Sequence, residues 1–474
     1  MKCGRELLGC PYGLKAMLIR CLVVGIGVLL PILLLFLALG ALAVNVPYWD
    51  DYGAIVRYMG WPFGDRMQHL FDFHNEHRIV TVRLFLEAMV ALTGKVNFKA
   101  CMLWGSAQLL AILACFAWFH LRHFGGWLGG MLFAAASWHL FSMLNFDNAF
   151  WALTALENFG VLMWAFLAII LFQHRTKKLF FGMSMACALL ATLTSAQGLA
   201  VFGALCAMSL VPTDADHVAA SWKVFIRKVL GCVHQPSALL RMVTVLLISV
   251  LAGILYFRGF HVGGDALTAE QPTVLGKVLY VFAFLGNLVP IYPVALVCGL
   301  AVVVAIVFIT FRFPRIPVRL HPVFFFMIYL VGVSVAGVAF RGTEPRAALS
   351  FRYYVITACL FVSVTMLLVE LLGRKSLLVR IGVPLLFVGF ALLDLAVFVV
   401  GWPMFAERNE ALRVNMLTWP EHAEGLRVGD DDREQSSREL HQLEKQGFYD
   451  HKSLLKQGEL MPEMPIPWPK PHFP

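Results

Sequence analysis

The chain has 474 residues, 59% of them hydrophobic and 14% charged, with a mean hydropathy of +0.75 and a net charge of +9. No soluble globule hides that much apolar surface, so the composition excludes a soluble enzyme or binding domain and indicates an all-α, polytopic membrane protein. The positive charge needs no nucleic-acid partner: Lys and Arg gather in loops between apolar runs, and no basic patch interleaved with aromatics lies on a polar segment.

A crossing needs about 20 apolar residues. The run 18–44 supplies them, and its basic flank of Lys2, Arg5, Lys15 and Arg20 places the N-terminus in the cytoplasm. The loop 45–78 then lies outside. Residues 79–98 carry Arg83 and Glu87 four apart on one helical face. Counted as a span, this run would push the basic turn at 174–178 outside, so it is expected as an amphipathic helix in the interface. Spans follow at 99–121, 127–143 and 149–172. The long run 179–211 is broken at 194–198 and reads as a hairpin of two short helices. Lys223, Arg227 and Lys228 mark a cytoplasmic loop at 212–238. After a span at 239–257 come a second external loop (259–274), an interfacial or re-entrant helix (275–290), and spans at 291–311, 321–340, 353–373 and 381–400. The total is about 11 transmembrane helices, with interfacial helices in the first external loop (45–98). Residues 1–400 form the membrane domain. A polar tail, 401–474, lies outside, with 13 acids against 9 bases and a proline-rich end. No internal repeat is evident, and no C-x-x-C metal motif or disulfide framework is expected of the ten cysteines.

The densest set of ionisable residues is the loop 45–78, with five acids, three histidines and three arginines. Trp49-Asp50-Asp51-Tyr52 sets two carboxylates side by side at the end of the first span, where partial desolvation holds a proton on one and leaves the other ionised. One could remove a proton from an acceptor hydroxyl while its neighbour orients that hydroxyl or holds a divalent cation, the one cofactor left open. The bland alternative is an Asp pair capping a helix that begins at Gly53. Further on, His74, Glu76, His77 and Arg78 lie in the block 73–78. Read as a helix, this block puts His74, His77 and Arg78 on one face, suited to a phosphate, a sugar or a metal ion, although H-x-x-H is not the zinc motif H-E-x-x-H. Glu157, Asn158 and His139 fall within apolar spans, where an ionisable group is costly and usually faces a cavity. Arg341, Arg346 and Arg352 surround a late external turn with Glu344 and Tyr353. Arginines on that side break the positive-inside bias, and a phosphate would explain them; lipid headgroups or pairing with Glu344 would also do so.

The motifs YWDDY (48–52), HNEHR (74–78) and SFRYY (350–354), set in this topology, resemble the GT-C superfamily of integral-membrane glycosyltransferases, and especially a bacterial branch with a late Ser-Arg-Tyr motif; here one residue is inserted in it. The resemblance covers the topology of nearly all of the membrane residues, on short motifs. It implies a GT-C-like fold in a bacterial inner membrane and an extracytoplasmic active site. It also implies a polyprenyl-phosphate-linked sugar donor and a glycan, lipid or protein acceptor. Under it, Asp50 or Asp51 is the base, and Arg346 and Arg352 meet the donor phosphate. The competing expectations are a transporter or flippase for lipid-linked saccharides, which needs no base, and a polymerase of such units.

Overall fold

A computed structural model describes residues 11–211, 221–260, 273–341, 345–420, 426–428 and 432–455. The greater part of the loop 259–274, Glu344 and the proline-rich end lie outside the described residues, as does the Arg341 side chain.

Helix α1 (Pro11–Leu42) leads into the first loop. There the chain forms a π-helical turn (Tyr52–Val56), short helices α2 (Arg57–Gly60) and α3 (Phe63–Gln68), a hairpin of β1 (Phe73–His74) and β2 (His77–Arg78), and α4 (Val80–Thr93). The bundle continues with α5 (Phe98–His123), α6 (Gly126–Leu140), α7 (Phe146–Ala149), α8 (Ala152–Phe172), α9 (Lys178–Thr194), α10 (Ala200–Ser209), α11 (Trp222–Val233) and α12 (Pro236–Phe257). It closes with α13 (Val274–Leu285), α14 (Tyr292–Phe311), α15 (His321–Arg341), α16 (Tyr354–Leu372), α17 (Leu377–Thr418) and α18 (Arg433–Lys445).

Among the described residues nine helices are long and apolar enough to cross a membrane. They coincide with nine of the expected spans. The other two expected crossings are α9 and α10, only 17 and 10 residues long. Gly198 turns the chain between them: a Cβ there would lie 2.1 Å from the Ala191 backbone, so only glycine lets α10 fold back this closely. Helix α4, 14 residues long, is too short to span, in line with its reading as an interfacial element. Its polar face is nonetheless turned inward. Arg83 is buried and donates to the carbonyls of His69, Leu70 and Asp72, and Glu87 pairs with buried Arg66 at 2.6 Å.

Small residues permit backbone contact between helices, as is common where lipid gives no hydrophobic drive to pack. Gly105 of α5 faces Ala155 of α8, and Gly299 of α14 lies against Phe282 of α13.

The tail departs from expectation. Helix α17 does not stop near 400 but runs 42 residues, about 63 Å at about 1.5 Å per residue, roughly twice the hydrocarbon thickness. Its second half buries Phe405, Asn409, Leu412 and Met416, an i, i+4, i+7, i+11 stripe. Beyond it the described tail folds onto the first loop. Trp49 N–H donates to Arg427 O at 2.8 Å beside a parallel bridge from Trp49 to Val428. Arg57 pairs with Glu439 at 2.8 Å, Gln442 and Gln446 both donate to Gly60 O, and Tyr449 OH donates to Asn45 O. The first loop and the C-terminal segment therefore share one face of the bundle. The opposite face is basic, gathering Arg122, Lys177, Lys223, Arg312, Arg319 and Arg374 at or near helix ends.

Candidate functional site

On the loop face a cavity of about 510 Å³ is built by eight parts of the chain. Asp50 enters from the first loop, His74, Asn75, Glu76 and His77 from the hairpin, and Leu153, Thr154, Glu157 and Asn158 from α8. The α9–α10 turn adds Gln197, α12 ends on it with Phe257, and α13 contributes Tyr280 and Phe284. Val333, Ala336 and Gly337 of α15 and Arg352, Tyr353 and Ile356 complete the wall. One half is thus lined by acids, imidazoles, amides and a guanidinium, and the other by aliphatic and aromatic side chains from the apolar helices of the bundle. Such a hollow suits an amphipathic ligand with a polar head and an apolar tail.

The two adjacent aspartates have different tasks. Asp51 is fully buried; its Oδ2 accepts Tyr48 N–H at 3.0 Å and its Oδ1 accepts Leu153 N–H at 2.9 Å, and it does not line the cavity. These amides favour the carboxylate, but burial outweighs them and, with the neighbouring Asp50 charge, pushes the Asp51 carboxyl up to about 8. Nor does its side chain cap the helical turn that follows. Asp51 ties the loop to the start of α8, and Asp50 alone of the pair reaches the cavity. Directly before them Trp49 sits at φ 53°, a left-handed conformation costly for a bulky residue, held by the hydrogen bond to Arg427.

The block 73–78 is a hairpin, not a helix, with Phe73 opposite Arg78 and His74 opposite His77. Asn75, at φ 50°, makes the turn, a position that asparagine tolerates well. Strand alternation puts the cross-strand pair His74 and His77 on one face and Phe73 and Arg78 on the other. Arg78, expected beside the histidines, therefore points away from the cavity. It donates to the carbonyls of Phe71, Tyr256 and Arg258 and stacks its guanidinium 4.1 Å from the Phe73 ring centroid, which clamps the hairpin to the end of α12. His77 Nδ1 accepts Ala196 N–H at 3.4 Å, leaving Nε2 to carry the ring proton, 3.8 Å from Glu157 Oε1.

Arg352 is positioned through its backbone. Asn148 donates to Arg352 O at 3.0 Å and accepts from Asn158 Nδ2 at 2.7 Å, linking the late motif to α8. The Arg352 Nε–H is buried without a hydrogen-bond partner. Asp147 lies within electrostatic reach of both Arg352 and Arg408. Arg346, expected at the same phosphate, is exposed, lies 5.9 Å from the Tyr292 ring centroid and does not line the cavity.

Of the expected site residues, Asp50, His74, Glu76, His77, Glu157, Asn158, Arg352 and Tyr353 line one hollow, whereas Asp51, Arg78 and Arg346 do not. His139, also singled out in a span, is sealed among Phe361, Phe390 and Tyr354 and hydrogen-bonded to Tyr354 OH at 2.9 Å. Gln197, Tyr280 and the Asn148 bridge went unassigned. Asn148 lies in the polar stretch Asn145-Phe146-Asp147-Asn148 between two apolar runs, a signal available in the sequence, but Tyr280 sits in an apolar run that carries none. Among the described residues no group of three or more His, Cys, Asp or Glu side chains is placed to hold a metal ion. No family model, no curated protein and no solved structure matches the chain.

Proposed function

We propose that the protein is a membrane glycosyltransferase that moves a sugar from a polyprenyl-phosphate donor to an acceptor hydroxyl. The observation that carries this reading is the shared hollow of Asp50 and Arg352, polar on the loop side and apolar on the bilayer side. The donor's isoprenoid chain lies along Phe257, Phe284 and Val333, and its phosphate meets Arg352, whose unpaired Nε–H has an acceptor only when an anion is bound. Asp50 takes the proton from the acceptor hydroxyl as its oxygen bonds to the sugar's anomeric carbon. The carbon–phosphate oxygen bond breaks, and the polyprenyl phosphate leaves with the electron pair, its growing charge stabilised by the guanidinium. Glu157, Asn158 and His77 supply hydrogen bonds for sugar hydroxyls. The basic face opposite the site supports a cytoplasmic N-terminus and an extracytoplasmic site in a bacterial inner membrane. The acceptor is a glycan, lipid or protein reached from that side.

The test is turnover of radiolabelled polyprenyl-phosphate sugar by membranes carrying the wild-type chain or Asp50→Asn. Full activity in the variant overturns the assignment. Glu157, buried one turn into a membrane-crossing helix, is the feature that favours the second reading, a flippase for lipid-linked saccharides. Movement of the intact lipid-linked sugar across proteoliposomes without bond cleavage would establish it.

A further inference from the structure

A second cavity, of about 600 Å³, opens at the basic face between α5, α8 and the start of α9. Its walls are mainly apolar, from Ala111 and Trp118 on one side to Leu171 on the other, and its mouth carries Arg122, His174 and Lys177. Along α5 the stretch from Ala111 to Arg122 measures about 17 Å at about 1.5 Å per residue. That is close to the depth of one leaflet, half of the roughly 30 Å hydrocarbon core. The polar groups at the mouth are pre-set by aromatic rings: the Arg122 cation lies 3.3 Å from the Trp118 ring centroid, the Lys177 cation lies 5.8 Å from that of Phe180, and the His174 ring packs 5.5 Å from the same centroid. Among the described residues none of the three pairs with a carboxylate, whereas nearby His123 is bound to Glu370 at 2.6 Å. The mouth is therefore cationic and unneutralised at headgroup depth, above an acyl-length apolar groove.

We propose that this groove is a binding site for one anionic phospholipid of the surrounding leaflet, its phosphate held by Arg122, Lys177 and His174 and one acyl chain laid along α5 and α8. A zwitterionic lipid would bring its own cation against these three groups and is selected against. This assignment is independent of the reaction proposed for the loop-face cavity.

Native mass spectrometry of the full chain released from micelles, with phosphatidylglycerol or phosphatidylcholine supplied, tests it. The wild type is expected to retain one phosphatidylglycerol and to prefer it over phosphatidylcholine. Losing two cations at about 1 kcal/mol each should weaken retention about 30-fold in the Arg122→Gln/Lys177→Gln variant. Ala114→Trp, which fills the groove and keeps every charge, should also abolish retention. Equal retention of the two lipids, unchanged retention in either variant, or displacement of the lipid by inorganic phosphate alone overturns the proposal.

Discussion

Asp51 and Leu153 are joined across 102 residues by a hydrogen bond of 2.9 Å, carboxylate Oδ1 to backbone N–H, and this bond decides which of two adjacent aspartates faces the cavity. With Asp51 turned inward to α8, the next side chain back along the chain, Asp50, is left at the wall of the hollow.

Replacing Asp50 with Asn should lower turnover by about 10²- to 10⁴-fold, the usual worth of a general base, and leave the melting temperature in detergent where it was. Asp51→Asn should behave in the opposite sense. One of its two backbone donors loses its acceptor, at a cost of about 1–3 kcal/mol in stability. Paired activity and melting measurements on the two variants separate the roles; equal effects on both readouts would contradict them.

The buried Asp51 carboxyl also makes stability depend on pH. Its folded value of about 8 lies above the ordinary value of about 3.9, so between these limits the folded chain holds a proton that the unfolded chain has released. The proton's contribution is complete below about pH 4 and is lost as pH rises toward about 8. The wild-type melting temperature should therefore fall between about pH 5 and pH 8, and the slope should be shallower in Asp51→Asn.

Arg352 and Arg346 stand six positions apart and should differ sharply. Arg352→Ala should reduce kcat/KM for the polyprenyl-phosphate donor by at least about tenfold, since it removes a charged hydrogen-bond donor. Arg346→Ala should stay within about twofold, because the side chain lies outside the cavity. Steady-state kinetics with the donor varied check both.

Two ion pairs of similar length should differ in worth because they differ in burial. Arg66–Glu87, at 2.6 Å, has side chains only 6% and 14% exposed, so Glu87→Ala strands a buried guanidinium and should cost about 3–5 kcal/mol. Arg57–Glu439, at 2.8 Å with Arg57 30% exposed, should cost about 1 kcal/mol or less when broken. Thermal unfolding of the two alanine variants in the same detergent makes the comparison.

Much of this architecture was legible because a bilayer forces long apolar runs into helices, and nine expected spans follow from that rule alone. The meeting of Asp50, Glu76 and Arg352 was legible from their chemistry, since acids and a guanidinium beside the same apolar runs share few places to go. The hairpin was not. His74 and Arg78 are four residues apart, which looks helical, and only the turn-forming Asn75 hinted at strands. Arg346 and Arg352 look alike in sequence because short helical turns, whose orientation depends on distant contacts such as Asn148, decide where each points. The extension of α17 was hidden because Glu407, Arg408 and Glu410 end the apolar run, although the stripe from Phe405 to Met416 continues the helix.

The grip of Arg427 on Trp49 also has a bearing on biogenesis. Arg427 is synthesised long after Trp49, so the aspartate-bearing bend receives this fastening only late in translation. A nascent chain halted in the translocon before that point would carry the bend without its clasp.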